Sequence, residues 1–181
     1  MSKRDQRQIS LRPLHKYDAE ALYVNLRQRI YHTIGGLPHP YTPATALFYI
    51  RKSQQARRKG TDEIFAIQDD SNGSLVGMLG IHSLNSRDGR AMLGLWIART
   101  EWGSGIGTNA VRQALAFAFG EKRLQKVYAY VFVSNVASQR VLEKNGFKRE
   151  GLLRRHFRVS RRYVDSYIFG LLREEWREQR A

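Results

Sequence analysis

The stretch Trp102-Gly103-Ser104-Gly105-Ile106-Gly107-Thr108-Asn109-Ala110 decides how the rest of the chain is read. Before it, Ala91-Met92-Leu93-Gly94-Leu95-Trp96-Ile97 is an apolar run of the length expected for a buried strand. After it, Val111, Ala114, Leu115, Ala118 and Phe119 recur at helical spacing, and Gly120 is the expected stop. The local order is strand, glycine-rich turn, helix. Three glycines in five residues let backbone come close to a ligand. The first turn of the following helix adds unpaired N–H donors and the positive end of the helix dipole. Together these features make a phosphate cradle; the plainer alternative is a tight turn before a glycine-tolerant helix. A Walker-type loop is excluded, because Thr108-Asn109 follows Gly107 where Lys and Ser or Thr are required. A dinucleotide fingerprint fits poorly. Thr108 replaces the third glycine, and Glu121 stands before the next strand rather than at its end. A pyrophosphate-bearing ligand of another kind is expected.

The chain has 181 residues, which suits one domain with a single sizeable core. It contains no cysteine, which excludes disulfides, thiolate metal sites and a cysteine nucleophile. That composition is compatible with a cytoplasmic location. Met1 to Gln6 lacks the apolar stretch of a signal peptide, and no run is long enough to span a bilayer, so no membrane partner is expected. The formal charge of +15 favours anionic partners: phosphate-rich cofactors, nucleic acid, acidic protein surfaces.

Taken in order, Gln8 to Leu14 reads as a strand. Asp18 is placed to cap a helix with Ala21, Leu22, Leu26 and Ile30 on its apolar side. Tyr31 to Thr42, with two glycines and two prolines, is expected to be a loop. Pro43 opens a second helix bearing Leu47, Phe48 and Ile50, which ends at Gly60. This loop and helix can form a substrate wall, with His39, Tyr41 and Phe48 as lining candidates or as ordinary packing. Glu63 to Asp69 is expected as an alternating strand. Leu75 to Leu84 and Arg90 to Ala98 complete an antiparallel meander, with turns at Asp70-Ser71-Asn72-Gly73 and Ser86-Arg87-Asp88-Gly89. After the glycine-loop helix, Leu124 to Val133 is a strand, which requires a right-handed crossover to a parallel neighbour. Asn135 caps a helix with Val136, Val141 and Leu142, ended by Asn145-Gly146. Phe147 to Val159 and Tyr163 to Leu172 form a closing hairpin, and Glu174-Glu175-Trp176 begins a short tail. The fold class expected is α/β (α+β): one mixed, mostly antiparallel seven-stranded sheet with about four helices.

This combination resembles the GNAT superfamily of acetyl-CoA-dependent N-acetyltransferases. The pyrophosphate-loop pattern Gln/Arg-x-x-Gly-x-Gly/Ala is met by Trp102-Gly103-Ser104-Gly105-Ile106-Gly107, with Trp102 in place of the polar first residue. The stretch Asn135 to Phe147 is similar to the RimJ/RimL-like branch, the ribosomal-protein N-terminal acetyltransferases. So are Leu37-Pro38-His39-Pro40-Tyr41 and the ending Asp165 through Tyr167 to Trp176. The resemblance implies a central parallel pair that splays apart, with the pantetheine arm of acetyl-CoA between the strands against free backbone at Leu95, Trp96, Ile97 and on to Arg99. It implies a diphosphate on the N–H groups of Gly103, Ser104, Gly105, Ile106, Gly107 and Thr108. Asn135 would contact the arm, and Arg140 and Lys144 can meet the nucleotide phosphates or stay solvated. Ser138, by its matching position, would protonate the leaving sulfur; a cap contact is the alternative for it and for Asn135. No metal is implied. The acceptor would be a protein N-terminal amine or a small amine, because the branch acts on both.

No pair of histidines has metal-ligand spacing. His82, Glu101, His156, Asp165 or a water are all candidates for the group that takes the amine proton, and Asp165 can instead anchor a loop. Lys148, Arg149, Arg154, Arg155, Arg158, Arg161 and Arg162 make a basic stretch beside Phe157 and Tyr163. It can be a solvated hairpin, a surface for docking on a ribosome or acidic protein, or the mark of a nucleic-acid-binding module. A homodimer is compatible with the sequence and not specified by it.

Overall fold

The computed structural model describes residues 7–26, 41–159 and 161–178. Seven strands form one sheet: β1 (Ile9–Pro13), β2 (Glu63–Asp69), β3 (Leu75–Asn85), β4 (Arg90–Ile97), β5 (Lys126–Phe132), β6 (Lys148–Val159) and β7 (Arg162–Leu172). Their spatial order is β1-β2-β3-β4-β5-β7-β6. Every neighbouring pair is antiparallel except β4 and β5. Among the described residues five α-helices cover it: α1 (Ala19–Leu26), α2 (Pro43–Lys59), α3 (Ile106–Leu115), α4 (Val136–Glu143) and α5 (Arg173–Glu178).

At β2 the sheet is covered on both sides, which explains where the sequence reading of that strand fails. Glu63–Asp69 does not alternate between core and solvent: every residue but Gln68 is buried. Even-numbered Ile64 and Ala66 meet Leu22, Leu26, Ala46 and Ile50 of α1 and α2, while Phe65 and Ile67 meet Val111, Leu115 and Phe119 beside α3. A strand covered on both faces has no polar face to show.

The helix starts follow their local chemistry. Thr42 caps α2 by accepting from the Thr45 amide at 3.2 Å, with Pro43 at the first position and Gly60 left-handed at the end. Asp18 is not a simple cap. It lies in a 3-10 turn and is buried, bound by both Arg12 nitrogens at 2.8 and 2.7 Å and by the His15 amide at 2.7 Å. Phe48 is 65% exposed rather than packed, Tyr41 is buried in the α1–α2 core, and His39 and Ile30 lie outside the described residues, as does most of the expected 31–42 loop.

Two further corrections concern helix ends. Gly120 does not stop α3, because a π-turn over Ala116–Glu121 carries the chain on to Lys122. The wider turn brings Phe119 into the core, where its ring meets Trp176 at 5.4 Å. The expected tail is therefore the packed helix α5. Its first turn is closed by Glu175, whose carboxylate accepts from the Leu172 amide at 2.9 Å.

Candidate functional site

The parallel pair β4–β5 is joined over three residues only, Arg90 to Met92 against Lys126 to Tyr128. Beyond Met92 the two strands part, and β4 runs on to Ile97 without a β5 partner. The gap between them is a cavity of about 100 Å³. Its walls are Leu93, Gly94 and Leu95 of β4, Ala129 to Phe132 of β5, and Val111, Asn135, Ser138 and Val141 from the helices. Leu95 thus lies where the sequence places it. The Trp96 side chain faces away into the α1–α2 core, and Trp96 is not among the residues that line the gap.

The glycine loop closes one end. Gly103 and Gly105 have φ of 79° and 87°, left-handed values that cost an L side chain about 1–2 kcal/mol. A Cβ on either would meet nothing within 4 Å, so both face open space. Gly107 is different: a Cβ there would touch Leu95, Ile97 and Val141, each at 3.6 Å, so this glycine brings α3 close against β4 and α4. The amides of Gly107 and Thr108 open α3 and have no carbonyl of the helix to bond, while that of Ile106 donates to the Ser104 hydroxyl at 3.4 Å. They leave a positive, donor-rich surface at the mouth of the gap.

Trp102 is 63% exposed, and its indole Nε1 donates to the Ile97 carbonyl at 2.9 Å. The residue that departs from the family pattern thus fastens the loop to the end of β4. Ser104 fastens it further, its hydroxyl donating to the Glu101 carbonyl at 2.6 Å. A residue read from sequence only as a helix end also holds this corner. Buried Asn145 donates to the carbonyls of Thr108 at 3.2 Å and Val141 at 2.8 Å, tying the start of α3 to the end of α4.

Asn135 caps α4, its side-chain oxygen accepting from the Ser138 amide at 3.1 Å. The cap uses the Ser138 backbone, so the hydroxyl is not needed for it. Both residues line the gap. Arg140 and Lys144 are exposed on α4.

On the other face of the sheet, Tyr128, Tyr130 and Phe132 alternate with the buried Val127, Ala129 and Val131. Tyr130 meets His156 at 5.0 Å and Phe157 at 5.9 Å, so the aromatic row runs into the β6–β7 hairpin. His82 lies against this face of β3 and β4. Its Nδ1 is 3.1 Å from Asp62, and its ring covers Gly80 and Gly94. Two other sequence candidates are tied down elsewhere. Glu101 is ion-paired with Arg7. Asp165 accepts from the Arg155 amide at 2.7 Å, holding a bulge of β6 where Arg155 itself has φ of 51°. That is the anchor role.

A family model described as an acetyltransferase (GNAT) domain matches residues 8–148. The uncharacterized N-acetyltransferase p20 of Bacillus licheniformis is 30% identical over 118 residues, 65% of this chain and 66% of that protein. The alignment thus spans just under two thirds of that relative's length. Among solved structures, Mycobacterium smegmatis RimJ in complex with CoA-disulfide is 26% identical with a TM-score of 0.84, covering 92% of this chain and 83% of that one. A spermidine N-acetyltransferase from Vibrio cholerae, solved with CoA and spermine, is 23% identical with a TM-score of 0.82, covering 93% and 98%. At that identity the likeness is one of fold.

Proposed function

The chain belongs to the GNAT acetyltransferase family, and from that premise we propose that it transfers the acetyl group of acetyl-CoA to the α-amine at a protein N-terminus. The single observation that carries the reading is the parting of β4 and β5 beyond Met92, with the glycine loop at its mouth and Asn135 and Ser138 in its wall. A slot with apolar walls and free strand edges suits an extended amide-bearing arm. A left-handed glycine loop at a helix start suits the diphosphate to which that arm is joined.

Acetyl-CoA supplies an activated thioester. The chain supplies position and proton handling. The amides of Gly103 to Thr108 hold the diphosphate, and Arg140 and Lys144 add positive charge beside it. Leu95 to Ile97 offer backbone bonds to the arm, and Asn135 fixes it from the α4 side. A β4 amide near Trp96 or Ile97 steadies the negative charge that develops on the acetyl oxygen. With no cysteine in the sequence, the amine attacks directly in a ternary complex rather than by way of an acyl-enzyme thioester. Ser138 donates its hydroxyl proton to the departing sulfur.

The choice of a protein amine rests on the likeness to RimJ together with an aromatic acceptor face whose rim carries the arginines of the β6–β7 hairpin. A screen of CoA release from acetyl-CoA over N-terminal peptides, spermidine and an aminoglycoside tests it. Peptides should give the highest kcat/KM. A small amine that outruns every peptide would move the chain to small-molecule acetylation, and no release with any amine would end the assignment.

A further inference from the structure

Resting on the acyl-transfer reading, we propose that the His82–Asp62 pair is the proton acceptor of this site, with the Nε2 of His82 taking the proton from the attacking amine. His82 stands on β3 opposite Met92, the last residue of β4 that pairs with β5. Its ring lies across the next step of the sheet, over Gly80 and Gly94. A Cβ on Gly80 would come within 2.1 Å of Nε2, and one on Gly94 within 3.3 Å. Gly94 lines the gap between the splayed strands. Nε2 is thus held at the point where the strands separate, on the face opposite the glycine loop.

Three features fix it there. Asp62 stands 3.1 Å from Nδ1, and a carboxylate in that place favours the tautomer with its proton on Nδ1 and its lone pair on Nε2. The same carboxylate oxygen accepts from the Ser83 amide at 3.3 Å. Ser83 has φ of 52°, a left-handed value for a residue with a side chain, within a register shift between His82 and Asn85. Such bulges re-aim a side chain, and backbone strain concentrates where geometry matters for function. Among the described ionisable groups near Asp62 are Tyr49 of α2 and, beside it, Tyr41. Burial pushes the Tyr41 hydroxyl up to about 12 and raises Tyr49 further, with Tyr41 and Asp62 adding to the latter. At neutral pH those two tyrosines stay uncharged and leave Asp62 as the partner of the imidazole.

The step balances. The ammonium gives one proton to Nε2, and its freed lone pair forms the C–N bond. The C–S bond then breaks, the sulfur takes the Ser138 proton, and the nitrogen loses its second proton as the amide forms. One proton replaces that of Ser138, and the other passes from Nε2 to solvent.

The test uses the full chain with a neutral peptide α-amine as probe, followed from pH 6.5 to 9.5. His82→Gln should lower kcat/KM about 10²-fold at pH 7. The deficit should shrink to a few-fold at pH 9.5, where an amine of reference pKa about 7.7–8.0 is already free. Asp62→Asn should give the same shape with a smaller loss. Gly80→Ala displaces only the end of the His82 ring, and should reproduce the His82→Gln profile with an unchanged melting temperature. A ¹⁵N spectrum of the imidazole, independent of turnover, should place the proton on Nδ1 in the wild type and lose that preference in Asp62→Asn. Profiles that run parallel to wild type, or an Nε2-protonated ring, overturn the pair's role. Absence of turnover in the wild-type chain itself would instead overturn the acyl-transfer reading and the pair's role with it.

Discussion

Two side chains in the wall of the gap separate a structural role from a chemical one. The Asn135 cap bonds the Ser138 amide, which survives in Ser138→Ala, so α4 should form normally in that variant. A thiolate leaving group has a reference pKa of about 8.5 and gains from a donor. Ser138→Ala should therefore lower kcat about 10²-fold with acetyl-CoA affinity little changed, read from steady-state kinetics beside calorimetry. Unchanged kcat would leave Ser138 as a wall residue and give the proton to water. The glycine loop is tested through Gly105. Its Cβ position faces open space, so Gly105→Glu strains the backbone by only about 1–2 kcal/mol and should fold. Its carboxylate would stand at the start of α3, where the diphosphate belongs, and acetyl-CoA binding should disappear from calorimetry. Retained affinity would remove the basis of the cradle.

At the scale of elements, α5 shows how a single carboxylate secures a helix to the sheet. The Lys148 ammonium at 2.5 Å, then the Leu172 amide, hold the Glu175 carboxyl below its ordinary range, and Glu175 in turn raises Lys148. A depressed carboxyl stabilises the fold above its unfolded value, about 4.3, and loses that contribution as pH falls through the lower folded value. Glu175→Gln should thus lower the melting temperature at pH 7, and the gap from wild type should close as pH falls through the lowered range of the carboxyl. A gap that stays constant with pH would assign the effect to packing of Trp176. The sequence shows only a Glu-Glu-Trp tail here, because the partner of Glu175 stands on β6 and that of Trp176 in the π-turn. The meander, the crossover from β4 to β5, the Asn135 cap and the glycine loop were legible because each is written in neighbouring residues: turn types, cap types, apolar period. The π-turn was not, since Gly120 reads as a helix stop unless the demand to bury Phe119 is known. The face of β2 was not, since both sides are covered. Asp62 was invisible for the same reason as the partner of Glu175: it meets His82 only once β2 and β3 are in register.

At the scale of the molecule, charge decides which acceptors approach. The formal charge is +15, and Arg154, Arg155, Arg158, Arg161 and Arg162 stand together on the exposed β6–β7 hairpin beside the aromatic face. A polycation could still be drawn in by a local acidic pocket, but three carboxylates that could contribute to one are already engaged. Glu101 pairs with Arg7, Asp165 holds the Arg155 amide, and Asp62 engages His82. The described face thus has aromatic side chains at Tyr130 and Phe157 and exposed arginines on the adjoining hairpin. Spermidine and aminoglycosides should be poor acceptors, and peptides with acidic residues after the first should surpass neutral ones. The advantage should be steep at low ionic strength and shrink as salt shortens the Debye length from about 10 Å at 0.1 M toward 3 Å at 1 M. Replacing Arg154 and Arg158 together by Gln should flatten that salt dependence while leaving turnover of a neutral peptide unchanged. The measurement is kcat/KM for each acceptor across a salt series. Acidic and neutral peptides used equally at low salt would show that the hairpin does not steer acceptors, and a spermidine kcat/KM above that of every peptide would show that the acceptor amine meets negative charge after all.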